Sequence, residues 1–191
     1  MIQIRRARPD DAAAVGAIHR IAWQDTYPGI LPDAYLAGLD QRRIGAGYLR
    51  SMLARGGGEA LFVACAPDGA AVGFASAGRA RRTGIAEGEI ETLYILPDWQ
   101  DQGIGRRLMR AAAAHLSVIG CRSAMLWVLS ANGAGWFYRR LGGRLVGRER
   151  ISVGGQAVEQ TAIRWDPISL LLDATAASRD GSFPGESKGE G

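Results

Sequence analysis

The chain is poor in the residues that staple small proteins together. It holds two cysteines, Cys65 and Cys121, and two histidines, His19 and His115. Neither cysteine belongs to a Cys-x-x-Cys pair and both sit in apolar surroundings, so they read as buried free thiols rather than a disulfide or a nucleophile. Without a Cys/His cluster a structural zinc site is not expected, and no metal is called. No apolar run approaches the roughly eighteen residues of a membrane-spanning helix. The start, Met1-Ile-Gln-Ile-Arg-Arg, lacks the apolar stretch of a secretory signal. These absences predict a cytoplasmic protein without a membrane partner. Nor is there a long basic run with interleaved aromatics. The arginines come in scattered pairs, Arg5-Arg6, Arg42-Arg43, Arg81-Arg82, Arg106-Arg107 and Arg139-Arg140, which weakens a nucleic-acid reading.

What is present is ordinary for a globular domain: 191 residues, 47% hydrophobic and 22% charged. The net charge is +4, but residues 166–191 carry five acidic and two basic side chains, leaving +7 on residues 1–165. Such an excess suits a polyanion, small or large.

Ile2 to Arg5 alternates like a short strand. A helix follows Arg8-Pro-Asp-Asp, capped by either aspartate, and breaks at Tyr27-Pro-Gly. A second helix is expected from about Pro32 to Leu53. Strands are expected at Ala60–Cys65, Ala71–Ser76 and Gly88–Leu96, then a helix at Gly103–Leu116, a buried strand at Ala124–Leu129 and a helix at Ala131–Leu141. A hairpin, Arg144–Val153 with Gln156–Trp165, turns on Gly154-Gly155. The fold class this implies is α/β: a mixed, mostly antiparallel twisted sheet with helices on both faces. The domain is expected to span 1–165. Residues 166–191 read as an extension in which Ile168–Leu172 can add a turn of helix and Arg179–Gly191 is disordered.

The stretch from Glu89 to Met109 runs strand, glycine-containing loop, helix. A helix N-terminus leaves unpaired N–H groups and a partial positive charge, and glycines let an anion approach the backbone. Elementary physics therefore points to a phosphate site. The dinucleotide fingerprint fails, because Leu108 stands where a third small residue is needed, and the Gly-Lys-Ser/Thr of a P-loop is absent.

Here the sequence resembles a known family. Gln100-Asp-Gln-Gly-Ile-Gly is similar to the Q/R-x-x-G-x-G/A signature of the GCN5-related N-acetyltransferase (GNAT) superfamily. It follows Leu93-Tyr-Ile-Leu-Pro, which looks like that family's strand exit. Asn132-Gly-Ala-Gly-Trp-Phe-Tyr-Arg-Arg-Leu-Gly resembles its N-x-x-A/G-x-x-F-Y-x-x-x-G landmark. The resemblance covers about residues 2–165 and departs at Asp101, where many members carry Gly or Asn.

The resemblance implies an enzyme that transfers acetyl from acetyl-CoA, as co-substrate, to a primary amine in a ternary complex. Leu93, Tyr94 and Ile95 would border the pantetheine arm through main-chain contacts. Gln100, Asp101, Gln102, Gly103, Ile104, Gly105 and Arg106 would form the pyrophosphate site, and Asn132 would cap its helix or touch the cofactor. Glu89 lies fourteen residues before Gly103, the family spacing of a general base. Glu91, or a water chain, is the alternative, and Glu87 shares that face if the strand reaches it. Tyr138 matches the thiolate-protonating tyrosine. Trp23 and Tyr27 resemble the wall of the acceptor site, though as single residues each suits a core equally. Two other readings stay open: a non-catalytic acyl-CoA-sensing domain of the same fold, and a basic nucleic-acid module. The amine's identity is not legible, and a homodimer is an open possibility.

Overall fold

The computed structural model describes residues 1–54 and 58–176. Seven strands, β1 (Gln3–Arg6), β2 (Ala60–Cys65), β3 (Ala71–Arg79), β4 (Gly88–Ile95), β5 (Ala124–Leu129), β6 (Arg144–Val153) and β7 (Gln156–Trp165), form one sheet in the order β1-β2-β3-β4-β5-β7-β6. All neighbours are antiparallel except β4 and β5. That single parallel pair requires a crossover, supplied by helix α4 (Ile104–Val118).

Helices α1 (Ala12–Thr26) and α3 (Gln41–Leu53) cover one face, with the short α2 (Asp33–Ala37) between them. Helices α4 and α6 (Ser169–Thr175) cover the other, and α5 (Gly135–Arg140) follows β5. Strand alternation sorts the core between the faces. Leu61, Val63 and Cys65 of β2 join Val15 and Ile18 of α1, while Ala64 joins Ile104 and Leu108 of α4. Within α4, Leu108, Met109, Ala112, Ala113 and Leu116 are wholly buried, one apolar stripe at helical spacing. Both cysteines are buried free thiols, one on each side of the sheet.

Helices α1 and α3 meet backbone to backbone. A Cβ on Gly16 would lie 2.3 Å from the Gln41 carbonyl oxygen, and one on Gly45 would lie 2.7 Å from that of Ala12. Only glycine permits this crossing, which brings both helices down onto the sheet.

The elements differ from expectation where side chains compete for backbone groups. The helix expected over Pro32–Leu53 is two helices, because Gly38 ends α2 and the Asp40 carboxylate accepts from Arg42 N (2.8 Å), starting α3 afresh. Asp11 does not cap α1. Its carboxylate accepts from both ends of the Arg5 guanidinium (2.7 and 2.8 Å) and from Arg8 N, riveting β1 to the helix entry. The helix expected at Ala131 begins at Gly135, since Asn132 Oδ1 accepts from Ala134 N in an Asx-turn. Strand β3 runs three residues beyond Ser76, to Arg79.

Packing also carries past the boundary expected after Trp165. Helix α6 lies against α4 and β7, Leu171 is wholly buried, and Ile168 is 7% exposed. Arg110 donates to the Leu172 carbonyl and Arg106 to that of Ala176. The stretch expected to be disordered, Arg179–Gly191, lies outside the described residues. Leu171→Ala should cost about 2–5 kcal/mol. Truncation after Trp165 should lower Tm by on the order of 10 °C. Thermal unfolding of the two variants checks this, and an unchanged Tm after truncation would restore the earlier boundary.

Candidate active site

Strands β4 and β5 pair at only two positions, Gly88 with Ala124 and Glu89 with Met125. Beyond Glu89 they part, and the edge of β4 from Ile90 to Ile95 faces a gap. The closed end is fastened by Gly88 N to the Ser123 carbonyl (3.0 Å) and by Glu87. The latter's carboxylate holds Arg122 through Nη2 (2.7 Å) and backbone N (2.8 Å), which pulls it below the usual carboxylate range. Glu87, the third candidate carboxylate, is thus committed to the hinge of the splay and away from its interior.

At the open end stands the loop before α4. Pro97–Trp99 make a 3-10 turn, and the side chains of Gln100 and Gln102 donate back to the carbonyls of Ile95 (3.4 Å) and Asp98 (3.1 Å). Their amides shape the loop. Asp101 has φ 56°, a left-handed conformation that glycine and asparagine adopt readily and aspartate tolerates. This accounts physically for the departure at that position. Gly103, φ 74°, is the N-cap of α4 and offers no side chain to cap it, so the first-turn N–H groups lack a side-chain acceptor. A Cβ on Gly103 would meet nothing within 4 Å, whereas one on Gly105 would meet Phe137 Cζ at 3.3 Å and Ile95 Cδ1 at 3.4 Å. Gly105 therefore faces the splay between β4 and α5. Arg106 holds α6 through Nη2, and its buried Nε has no partner among the described residues.

A bulge opposite Ser76 and Ala77 shifts the register of β4, pairing Thr92 with Ser76 and Ile90 with Ala77. Glu91 is the extra residue. In consequence Glu91 and Thr92 both face α1 and α3, as Glu89 does. Ile90, Leu93 and Ile95 face α4, while the Tyr94 ring packs with Val15 and Phe74. Arg81 engages both carboxylates: its Nη2 lies 2.7 Å from Glu91 Oε2, its Nε 3.0 Å from Oε1, and its backbone N 3.4 Å from Glu89 Oε2. Arg82 pairs with Glu149 of β6 (2.7 Å), which also accepts from Gln160 (2.7 Å).

Tyr138 approaches from the other face. Its ring packs on Phe137 and Trp165, and burial pushes its phenol well above the ordinary tyrosine range. The hydroxyls of Tyr27, Tyr94 and Tyr138 lie close enough to oppose one another's ionisation, and Asn132 stands beside Tyr27. The structure places Trp23 and Tyr27 in a core cluster. They stack edge to face (5.0 Å) above Leu129, Val153 and Val158, with Tyr27 only 8% exposed. Trp23 Nε1 is buried without a hydrogen-bond partner among the described residues, near the Tyr94 ring.

The family profile of the Acetyltransferase (GNAT) domain matches residues 57–142. An aminoglycoside N(6')-acetyltransferase type 1 of Stenotrophomonas maltophilia is 37% identical over 125 residues, 62% of this chain and 70% of the relative. The chain belongs to the GNAT superfamily. The N-acetyltransferase YuaI of Bacillus subtilis, itself described as uncharacterized, is 28% identical over 90% of this chain and 96% of its own length. Among solved structures, this GNAT fold matches the PaiA N-acetyltransferase of Thermoplasma acidophilum in complex with coenzyme A. The TM-score is 0.67 at 21% identity, over 87% of this chain and 99% of the other. YncA of Salmonella typhimurium with its cofactor acetyl-CoA matches with a TM-score of 0.65 at 21% identity, over 95% and 99%.

Sequence reasoning missed a polar group next to the GNAT carboxylates. His19 Nδ1 lies 3.0 Å from the Tyr48 hydroxyl, which neighbours Thr92, and Thr92 Oγ1 is 2.7 Å from Ser76 Oγ. The spacing of His19 and Trp23 on one helix face was the available signal; Tyr48 and the bulge had none. Burial lowers the His19 pKa from 6.5 to about 4. The folded state therefore resists protonation while the unfolded chain does not. The stability His19 contributes is full above about pH 6.5 and falls as the pH drops toward 4. His19→Gln should flatten that limb, measured by urea unfolding across the interval. An equally steep loss in the variant would assign the limb to other groups.

Proposed function

We propose that this chain transfers an acetyl group from acetyl-coenzyme A to a primary amine, in a ternary complex by direct attack. The observation that carries the reading is the splay of β4 from β5 after two residue pairs, with an uncapped helix N-terminus at its mouth. Support for the donor comes from the N-terminus of α4, the unpartnered Arg106 Nε, the +7 charge of residues 1–165, and the coenzyme A and acetyl-CoA bound by PaiA and YncA.

The residues present fit this donor. Backbone groups from Gln100 to Arg106 (Asp101, Gln102, Gly103, Ile104 and Gly105 among them) would take the pyrophosphate. The free edge of Leu93, Tyr94 and Ile95 would take the pantetheine arm as an added strand, with Asn132 closing the other side. When bound, acetyl-CoA supplies an activated acyl carbon to the amine nitrogen, and its sulfur departs as a thiolate.

Two protons then have to move. A carboxylate on the α1/α3 face, Glu89 or Glu91, removes one from the acceptor ammonium, directly or through water. Arg81 sits on Glu91 and is two-thirds exposed (67%), so it can give way to an incoming ammonium. Tyr138 donates the second proton to the leaving sulfur from the opposite face. Its upward shift keeps the phenol protonated through the neutral range. The Leu93 N–H is a candidate donor to the developing oxyanion. A sensing domain of the same fold remains the second reading, favoured by no specific observation. Release of free thiol from acetyl-CoA with a panel of amines separates the two.

Tyr138→Phe keeps the ring packing and removes one hydroxyl. It should lower kcat on the order of 10²-fold with cofactor affinity unchanged. Unaltered turnover, where chemistry limits the rate, would leave Tyr138 as a packing residue. Gly105→Asp places a charge between Ile95 and Phe137 and should weaken acetyl-CoA binding on the order of tenfold or more by calorimetry. Equal affinity would remove the donor assignment.

A further inference from the structure

The face opposite α4 holds a cavity of about 510 Å³ beneath α3, reaching from Glu91 and Arg81 at the splay to Arg6 and Glu59 at the far end of β1 and β2. Its volume lies in the range of small-molecule sites. Leu61 and Ser76 make its floor with the backbone of Ala60 and Ala77, and the Tyr48 and His19 rings make one wall. The roof is a single stripe of α3. Ile44, Gly47, Tyr48, Ser51 and Met52 recur at helical spacing, and Gly47 leaves the middle of that roof without a side chain.

We propose that this cavity receives the body of the acceptor, and that its lining selects a compact, partly apolar monoamine rather than a polycation. This rests on the acetyl-transfer reading above.

Two observations carry it. Glu91 belongs both to the cavity and to the β4 bulge at the closed end of the splay, so an amine seated there lies beside a candidate base. The charges of the lining also balance among the described residues. Arg81 is set on Glu91, while Arg6 donates to the Glu59 carbonyl (3.2 Å) and Ser51 Oγ to the Glu59 carboxylate (2.5 Å). His19 is neutral near pH 7. One ammonium can replace the Arg81 guanidinium on Glu91. For a second ammonium the lining offers only the Glu59 carboxylate at the far end, already bonded by Ser51 Oγ, and for a third nothing among the described residues; between the two ends the walls are aromatic and aliphatic. The aminoglycoside acceptor of the Stenotrophomonas relative is the kind of polycation this lining disfavours.

Gly47 supplies the test. A Cβ there meets nothing nearer than Arg50 Nη2 at 3.9 Å, and replacing a helical glycine does not weaken the helix. Wild type, Gly47→Ala and Gly47→Leu are assayed with acetyl-CoA and three acceptors: ethylamine, phenethylamine and tobramycin. The Michaelis constant for phenethylamine should rise with side-chain size, on the order of tenfold for Gly47→Leu. Those for ethylamine and for acetyl-CoA should stay unchanged, as should Tm. Wild-type kcat/KM should favour phenethylamine over tobramycin. If amines are acetylated but the Gly47 series leaves the phenethylamine constant where it was, or tobramycin is the better acceptor, the cavity assignment fails and acetyl transfer stands. If none of the three is acetylated while acetyl-CoA binds, the transferase reading falls, and this one with it.

Discussion

The arrest of β4–β5 pairing after two residues is the constraint on which the rest depends. A continuous sheet would satisfy the backbone of both strands and leave no opening between the faces. Here the strands are pinned at one end, through Ser123 and the Glu87–Arg122 pair, and released beyond it. The exposed edge of β4 then has unmet hydrogen-bonding capacity that a ligand main chain can meet, as an added strand would. Each half of the sheet keeps its own cover: β1–β4 lie between α1/α3 and α4, while β7 carries α6. The halves meet again through Tyr27 and Leu31, which pack with Leu129, Val153 and Val158.

The opening also divides the proposed chemistry by face. Carboxylates and the acceptor cavity lie on the α1/α3 side, and the phenol of Tyr138 lies on the α4 side. Proton removal and proton delivery in that scheme fall to different groups, which approach the gap between β4 and β5 from its two faces. The phenols differ from the carboxylates in surroundings as well: Tyr138 and Tyr94 sit in apolar packing that holds them neutral, whereas Glu91 is met by a guanidinium.

Much of this architecture was legible in the residues. The last hairpin was placed to the residue, because Gly154-Gly155 leaves one turn position and the flanking ten-residue strands pair along their length. The loop before α4 was legible because its turn requires left-handed backbone, which Gly103 announces. Glu89 and Glu91 do share a face, but simple alternation would have put Thr92 on the other one. The bulge depends on how β3 lies against β4, which no local pattern in β4 encodes. Likewise the cavity under α3 comes from small side chains, Gly47 of α3 and Ser76 of β3, brought together from separate elements. The split at Gly38 and the Asx-turn at Asn132 escaped for a related reason: one side-chain bond to a backbone N–H outweighs weak helical propensity at a short element's end.

Helix α4 does more than present its first turn. Arg107 donates to the Ile2 carbonyl (2.9 Å), Arg110 to that of Leu172 (2.9 Å), and Arg106 to that of Ala176. Both ends of the described chain thus hang from one helix, on the face turned away from the acceptor cavity. A label on Met1, or a domain fused directly after Ala176, starts from the side of the sheet where α4 lies. The cavity under α3 opens on the opposite side of the sheet from both attachment points.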